Sequence, residues 1–418
     1  MERDRIPEPA PYVRAFERLG FGMFIHWGLY AQLASGEWVM KLRNIPKAEY
    51  ARLKDTFAAE DFSGRAIARL AKRAGMKYVT LTARHHDGFS LFDTRGLSDH
   101  DAVHSPAGRD LIADFAEGCR AEGIVPFFYH TTLDWHRDSY RTDFPAYLKY
   151  LRDSVEVLCT HYGKVGGFWF DGNWDRPDAD WQEDELYGMI RRLQPEAIIV
   201  NNSGLHKLGE YGHPEIDSVT FEQGRPHPMD RRGKPKYVAA EMCQTMGAYW
   251  GYGSADFAYK STKALIEHLC ACRKVGANYL LNIGLMGTGA VDKLQEATLE
   301  KIGGWIRVFE PAIYRASPCG IAGGGSDFGL AGEDGKLYFF VHRLAVSGDW
   351  NVTVPSGGVG PRTFAGVRKR VRSVRWLDNG EELAFVQDAG KDLFAFQATG
   401  YPYGVDYGVR VAEAIVEE

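Results

Sequence analysis

The 418-residue sequence predicts a (β/α)8 TIM-like barrel over residues 1–313, irregular around strands 5–7, followed by a C-terminal all-β sandwich over 314–418. Three observations carry this. Strand-like apolar runs occur eight times over about 280 residues, most of them alternating with helical patterns, and that alternation is the rhythm of a barrel. Each run ends on a polar or ionisable residue, as barrel strands do when they deliver side chains to the C-terminal face. Beyond Tyr314 the helical patterns stop, and short alternating runs with glycine-rich turns replace them, the texture of a sandwich.

The elements follow in order. Phe21–Gly28 (FGMFIHWG) is the first apolar run and ends on His26 and Trp27. Ala51–Gly75 reads as a loop and then a helix, with Ile67, Leu70 and Ala71 apolar and Gly75 as its stop. Tyr78–Arg84 (YVTLTAR) is a β-branched strand that delivers His85, His86, Asp87 and Gly88. A helix over Gly108–Gly123 precedes the strand Ile124–His130 (IVPFFYH), and an amphipathic helix over Pro145–Tyr162 leads to Gly166–Trp174 (GGFWFDGNW). There the run Phe168-Trp169-Phe170 drives into Asp171 and the chain breaks at Gly172. An Asp-Gly pair also starts turns, but seven other runs with the same ending favour a strand tip.

Trp181–Leu193 is a helix ended by Pro195, and Ala197–Asn202 (AIIVNN) is the fifth strand. Ser218–Gln223 (SVTFEQ) and Tyr237–Met242 (YVAAEM) are strand-like but follow Gly, Pro and Arg loops rather than helices. A helix over Lys260–Gly276 precedes the eighth run, Tyr279–Gly284 (YLLNIG), and Leu294–Glu310 is a last helix. In the C-terminal region Lys336–His342 and Trp350–Val354 alternate, and Asn379-Gly380 reads as a hairpin turn.

Composition narrows the function. Net charge is −5, so no basic excess exists to neutralise phosphates and a nucleic-acid partner is not expected. No stretch approaches the length of a membrane span, and Met1–Tyr12 lacks the apolar core of a signal peptide. A cytoplasmic protein is therefore expected, or a secreted or periplasmic one if a leader has been removed. Six cysteines show no zinc spacing, and Cys119, Cys159 and Cys270 sit in apolar helical stretches as buried thiols do. Aromatics make up 13 % with ten Trp, which suits stacking on the apolar faces of sugar rings. Assembly as a homo-oligomer is left open.

The predicted tips carry His26, His85 with His86, Tyr129 with His130, Asp171, Asn201 with Asn202, Glu222, Glu241 and Asn282. Taken singly, a His is commonly a core residue and an Asn a turn. Together at one level of a barrel they form a concave polar site with aromatic walls. Metal-dependent hydrolases place His-x-His on the first strand, whereas here His26 is followed by Trp27. His85 and His86 are adjacent and diverge on an extended chain, so neither a metal nor another cofactor is expected. The chemistry that remains uses two carboxylates across a sugar ring, for which Asp171, Glu222 and Glu241 supply the acids.

FGMFIHWG, the GEW of Gly36–Trp38, HHDGF at His85–Phe89, GRDL at Gly108–Leu111, WFDGNW, EMCQTMGAYWGY at Glu241–Tyr252 and NYLLNIG at Asn278–Gly284 occur in this order. Together they resemble the α-L-fucosidases of glycoside hydrolase family 29. The resemblance covers about residues 12–325 and implies a retaining exo-hydrolase that removes terminal α-L-fucose from a fucosylated oligosaccharide. Position by position, it implies that Asp171 is the nucleophile and that His26, Glu37, Trp38, His85, His86, Tyr129 and Trp169 bind the sugar. Trp250 and Phe221 are candidates for the wall facing the C5 methyl. Glu222 is the expected acid/base, with Glu241 its rival or a supporting carboxylate.

The sequence departs from the family at several points. Asn201-Asn202-Ser203-Gly204 stands where many members have an Arg, with His206 or Arg225 as substitutes. Leu285 replaces a usual Pro, and Val39 a common Tyr. Two alternatives remain: an α-L-galactoside-type exo-glycosidase and a non-catalytic fucose-binding protein. Trp350 and Trp376 serve either a carbohydrate-binding face or the sandwich core.

Overall fold

Eight parallel strands close a barrel in sequence order: β1 (Phe21–His26), β2 (Tyr78–Arg84), β3 (Val125–Thr131), β4 (Gly167–Asp171), β5 (Ile198–Asn201), β6 (Ser218–Thr220), β7 (Ala239–Thr245) and β8 (Asn278–Gly284). The ring is sealed by β1 against β8, with Phe24 opposite Asn282 and His26 opposite Gly284. The computed structural model describes residues 5–202, 209–346 and 358–417. Ser203, Gly204, His206 and the stretch Trp350–Val354 lie outside them.

The chain divides into two compact units, one of Met1–Lys260 with Asn278–Glu300 and the other of Ser261–Ala277 with Lys301–Glu418. Barrel strands are buried along nearly their whole length, as expected of parallel strands covered on both faces. Side-chain caps start the crossover helices. Ser63 accepts from Ala66 N ahead of helix Gly64–Arg73, Asp110 from Ala113 N ahead of Leu111–Glu122, and Asp143 from Ala146 N ahead of Phe144–His161. Phe16, on helix Pro11–Leu19, inserts between Tyr78 and Phe127, both at 5.7 Å between ring centroids. It thereby joins a core of barrel residues that includes Ile198, Val200 and Leu280.

The irregular region falls where expected. β5 and β6 are short, they share one paired position (Val200 with Ser218), and no helix joins β6 to β7. β7 starts two residues later than the sequence pattern suggests and runs on to Thr245. Glu241 is therefore near the start of its strand and not at its tip.

In the second unit, Ser261 caps helix Thr262–Val275 and Gly276 ends it in the left-handed region. Arg273 ties this helix to the chain beyond by donating to Ile313 O and Ala277 O. Helix Lys293–Tyr314 is kinked at Phe309, two residues before Pro311, because a proline cannot donate to the ladder and crowds the preceding turn.

The remaining strands are β9 (Ala316–Gly323), β10 (Phe328–Gly332), β11 (Leu337–His342), β12 (Gly360–Ala365), β13 (Val371–Trp376), β14 (Phe385–Asp388), β15 (Leu393–Ala398) and β16 (Val409–Val416). They form one antiparallel sheet ordered β13-β16-β11-β10-β9-β12-β15-β14. Trp376 at one end of that order packs edge-on at 6.0 Å against Phe396 near the other. The expected sandwich is thus realised as a single sheet curled over its own core. Trp376 is fully buried in that core, and Trp350 lies outside the described residues. Cys119, Cys159 and Cys270 are buried free thiols. Among the described residues, no helix is long and apolar enough to cross a membrane.

Candidate active site

The C-terminal ends of the barrel strands surround a cavity of about 270 Å³ lined by Phe24, His26, Trp38, His85, His86, Tyr129, Trp169, Asp171, Trp174, Asn202, Glu222 and Trp250. Asp171 is the last residue of β4. The turn after it depends on Gly172, whose φ is 124°. A Cβ there would lie 2.8 Å from Leu133 N, so only glycine lets the chain leave the strand at this point.

Four donors converge on the Asp171 carboxylate. Trp174 Nε1 donates to Oδ1 at 2.8 Å and Tyr129 OH to Oδ2 at 3.0 Å. His86 Nε2 lies 3.4 Å from Oδ2, and Asn202 Nδ2 lies 3.5 Å from Oδ1. Burial raises the pKa of this acid, yet His86, Trp174 and Tyr129 together outweigh burial and hold it below the usual carboxylate range.

Glu222 behaves oppositely. Burial first, and the nearby Asp171 charge second, raise its pKa to about 7, against the hydrogen bond from Asn202. Asn202 Nδ2 donates to Glu222 Oε2 at 2.5 Å. The same nitrogen contacts both acids, so the two oxygens it reaches are at most about 6 Å apart. That approach is compatible with the roughly 5–5.5 Å between carboxyl groups of retaining pairs.

The rest of the cavity is aromatic and neutral. Burial lowers the pKa of His26 to about 3 and that of His85 well below its ordinary value. His26 Nδ1 lies 2.7 Å from Asn282 Oδ1, and the amide of Asn282 donates to Trp250 O at 2.7 Å. That partner holds the His26 proton on Nδ1 and leaves Nε2 an acceptor. His85 Nδ1 is buried without a partner among the described residues. Trp169 stacks on Tyr129 at 5.7 Å, Trp38 stacks on Trp174 at 5.9 Å, and Phe24 stands 5.9 Å from Trp250.

Three residues assigned catalytic or sugar-binding roles from the sequence lie outside this lining. Glu241 is buried beneath it, accepting from Tyr78 OH at 2.5 Å and from Trp169 Nε1 at 3.0 Å. Burial raises its pKa to about 7 against those two hydrogen bonds. Phe221 is wholly buried and packs edge-on against His227 at 4.9 Å. Side chains alternate along an extended chain, so Thr220, which donates to Asn202 Oδ1, and Glu222 share the cavity face while Phe221 takes the other. Glu37 accepts from Gly251 N at 2.8 Å and anchors the segment that carries Trp250.

His130 is also turned away, with Nε2 2.8 Å from Ser154 Oγ on helix Phe144–His161. Arg225 is exposed and does not line the cavity. Asn202, expected among the polar strand tips, lines it, and Phe24 and Trp174 line it without having been assigned a site role from sequence. The position of Trp174, three residues after Asp171 on a short 3-10 turn, was the available signal. Among the described residues, no three His, Cys, Asp or Glu side chains converge as a metal ion would require.

Comparison with known proteins gives the family. The α-L-fucosidase family model matches residues 6–310. The tissue α-L-fucosidase of Rattus norvegicus is 28 % identical over 341 residues, covering 74 % of this chain and 71 % of its own. That of Homo sapiens is 26 % identical over 334 residues, covering 72 % and 69 %. The solved structure of α-L-fucosidase isoenzyme 1 from Paenibacillus thiaminolyticus matches with a TM-score of 0.81 at 30 % identity, over 98 % of this chain and 99 % of that one. With the family model covering most of the sequence and the fold shared end to end, this chain belongs to the α-L-fucosidase family.

Proposed function

We propose that this member removes terminal α-L-fucose from fucosylated glycans by double displacement, with Asp171 as nucleophile and Glu222 as acid/base. The observation that carries the reading is the pair of carboxylates joined through Asn202, with the pKa of one pushed down and that of the other pushed up. An ionised Asp171 can attack the anomeric carbon, while a protonated Glu222 can give its proton to the departing oxygen. Water then attacks the fucosyl ester with Glu222 as base, and the anomeric configuration is retained.

The cavity, at about 270 Å³, falls just below the roughly 300–1,000 Å³ of drug-sized pockets. That suits one pyranose ring and hence exo action. His26 Nε2 as acceptor and His85 Nδ1, without a partner among the described residues, suit ring hydroxyls. Trp250 with Phe24, in place of Phe221, offers the apolar wall for the C5 methyl. Residues 314–418 are proposed as a separate C-terminal module.

The test is turnover of an aryl α-L-fucoside by wild type and by Asp171→Gly, with and without azide. An inactive variant that azide revives, with inverted fucosyl azide as product, supports the nucleophile. A variant that keeps wild-type turnover refutes it.

A further inference from the structure

Among the described residues the cavity is lined by no lysine or arginine, and its carboxylates are Asp171 and Glu222. A leaving group that carried its own negative charge would meet repulsion there and no cation to offset it. A cation does stand one ring further out. Phe24, Tyr129 and Trp169 belong to β1, β3 and β4, whereas Trp38 and Trp174 come from the loops after β1 and β4, which lie on the open face of a barrel.

Trp135, on the loop after β3, is half-buried and outside the lining. It packs edge-on against Trp38 at 4.9 Å and tilted against His86 at 5.4 Å, and its amide donates to His86 O at 2.8 Å. Lys41 Nζ stands over the face of this ring, 5.2 Å from its centroid, within cation–π range. Lys41 follows Trp38 by three residues on the short helix Val39–Leu42, and its amide donates to Trp38 O. Two rings of the cavity mouth therefore fix where this ammonium sits.

Lys41 is half-buried and, among the described residues, makes no ion pair. Burial first, and the Arg141 charge second, lower its pKa against the influence of Asp175. The Asp175 carboxylate is engaged elsewhere, accepting from Tyr140 OH at 2.6 Å. Arg141 is exposed and likewise makes no ion pair among the described residues. A half-buried ammonium with a like charge nearby is costly to keep unless something outside the chain meets it.

We propose that Lys41, held at the cavity mouth by Trp135, is a specificity-determining residue that favours fucosides whose leaving group carries an anion, either a carboxylate as in a uronic acid or a sulfate ester. The inference rests on the reading of the cavity as the fucose site. With one sugar ring filling the cavity, the leaving group lies outward, among the rim loops that carry Trp38, Trp135 and Lys41. The proton from Glu222 still goes to the departing oxygen, and the anion only pairs with Lys41.

The experiment compares kcat/KM for meta-carboxyphenyl, meta-sulfophenyl and meta-carbamoylphenyl α-L-fucosides, the last being neutral and of similar size. Wild type is expected to favour an anionic substrate over the neutral one by about three- to fivefold, and added NaCl should erode the preference. Lys41→Gln should abolish it with the neutral substrate unaffected, and Lys41→Arg should keep it. Taking the anionic-to-neutral ratio within each variant removes the effect of phenol acidity. The carboxylate and sulfonate arms separate a reader of uronic acids from a reader of sulfated sugars. Equal turnover of the three substrates by wild type overturns the proposal, as does a preference that survives Lys41→Gln. A Lys41→Gln that slows all three by one factor marks a packing role and overturns it too. Absence of turnover on the neutral fucoside would sink the fucosidase reading itself, whereas turnover without anion preference removes only the role of Lys41.

Discussion

Asn202 Nδ2 donates to Glu222 Oε2 at 2.5 Å while lying 3.5 Å from Asp171 Oδ1, so one amide sets the relation between the two acids of the cavity. Its bond to Glu222 opposes the rise in that acid's pKa caused by burial and by Asp171. Asn202→Ala removes that opposition, and Glu222 stays protonated to higher pH. The alkaline limb of kcat/KM, expected near pH 7 in wild type, should shift upward in the variant. The rate at the optimum should fall about tenfold as Glu222 loses its anchor.

Glu222 and Glu241 are separated by leaving-group chemistry. Removing a general acid costs on the order of 10²–10⁴, and the loss is small when the departing group needs no proton. Glu222→Ala should therefore lose far more on a natural fucosyl linkage than on a fucoside of an acidic phenol. Glu241→Gln disturbs Trp169 and Tyr78 and should lower the rate on both substrates alike. Equal losses across substrates for Glu222→Ala would transfer the acid/base role away from it.

Trp174 Nε1 helps keep Asp171 ionised. Trp174→Phe retains a ring but removes the donor, so the Asp171 pKa rises. Activity is then lost at a higher pH as the solution is acidified, and the acid limb moves upward. A hydrogen bond to a charged group is worth about 1.5–3 kcal/mol, equivalent to a loss of roughly tenfold or more in kcat/KM. A pH–rate profile with an unmoved acid limb would contradict this.

Gly172→Ala tests the strand exit. At φ 124° a side chain carries a backbone penalty of about 1–3 kcal/mol, and its Cβ would meet Leu133 N. Denaturant titration should show a lower midpoint. The folded fraction should also be slower than wild type, because relief of the clash moves Asp171 away from Tyr129 and Trp174.

The sequence by itself determined the barrel, the eight strand-like runs and the carboxylate at the end of the fourth. These follow from local features: the period of the apolar residues, the helix stops, and a run such as Phe168-Trp169-Phe170 ending on Asp171. It also brought His26, His85, His86, Tyr129 and Glu222 into the candidate site, because a barrel delivers the ends of its strands to one face, and the family resemblance added Trp38, Trp169 and Trp250. Which side of the chain each residue presents there was decided only by the tertiary structure.

One step of alternation sends Phe221 away from the cavity and Glu222 into it, and the later start of β7 sinks Glu241 under Trp169. Phe24 becomes the wall beside Trp250 because β1 is set against β8 in a register that no local pattern encodes. The opposite pKa shifts of Asp171 and Glu222 are likewise invisible in the chain. They arise from burial and the Asp171 charge acting on Glu222, and from donors to Asp171 contributed by His86, Tyr129 and Trp174, at the ends of β2, β3 and β4, and they exist only once those ends have converged.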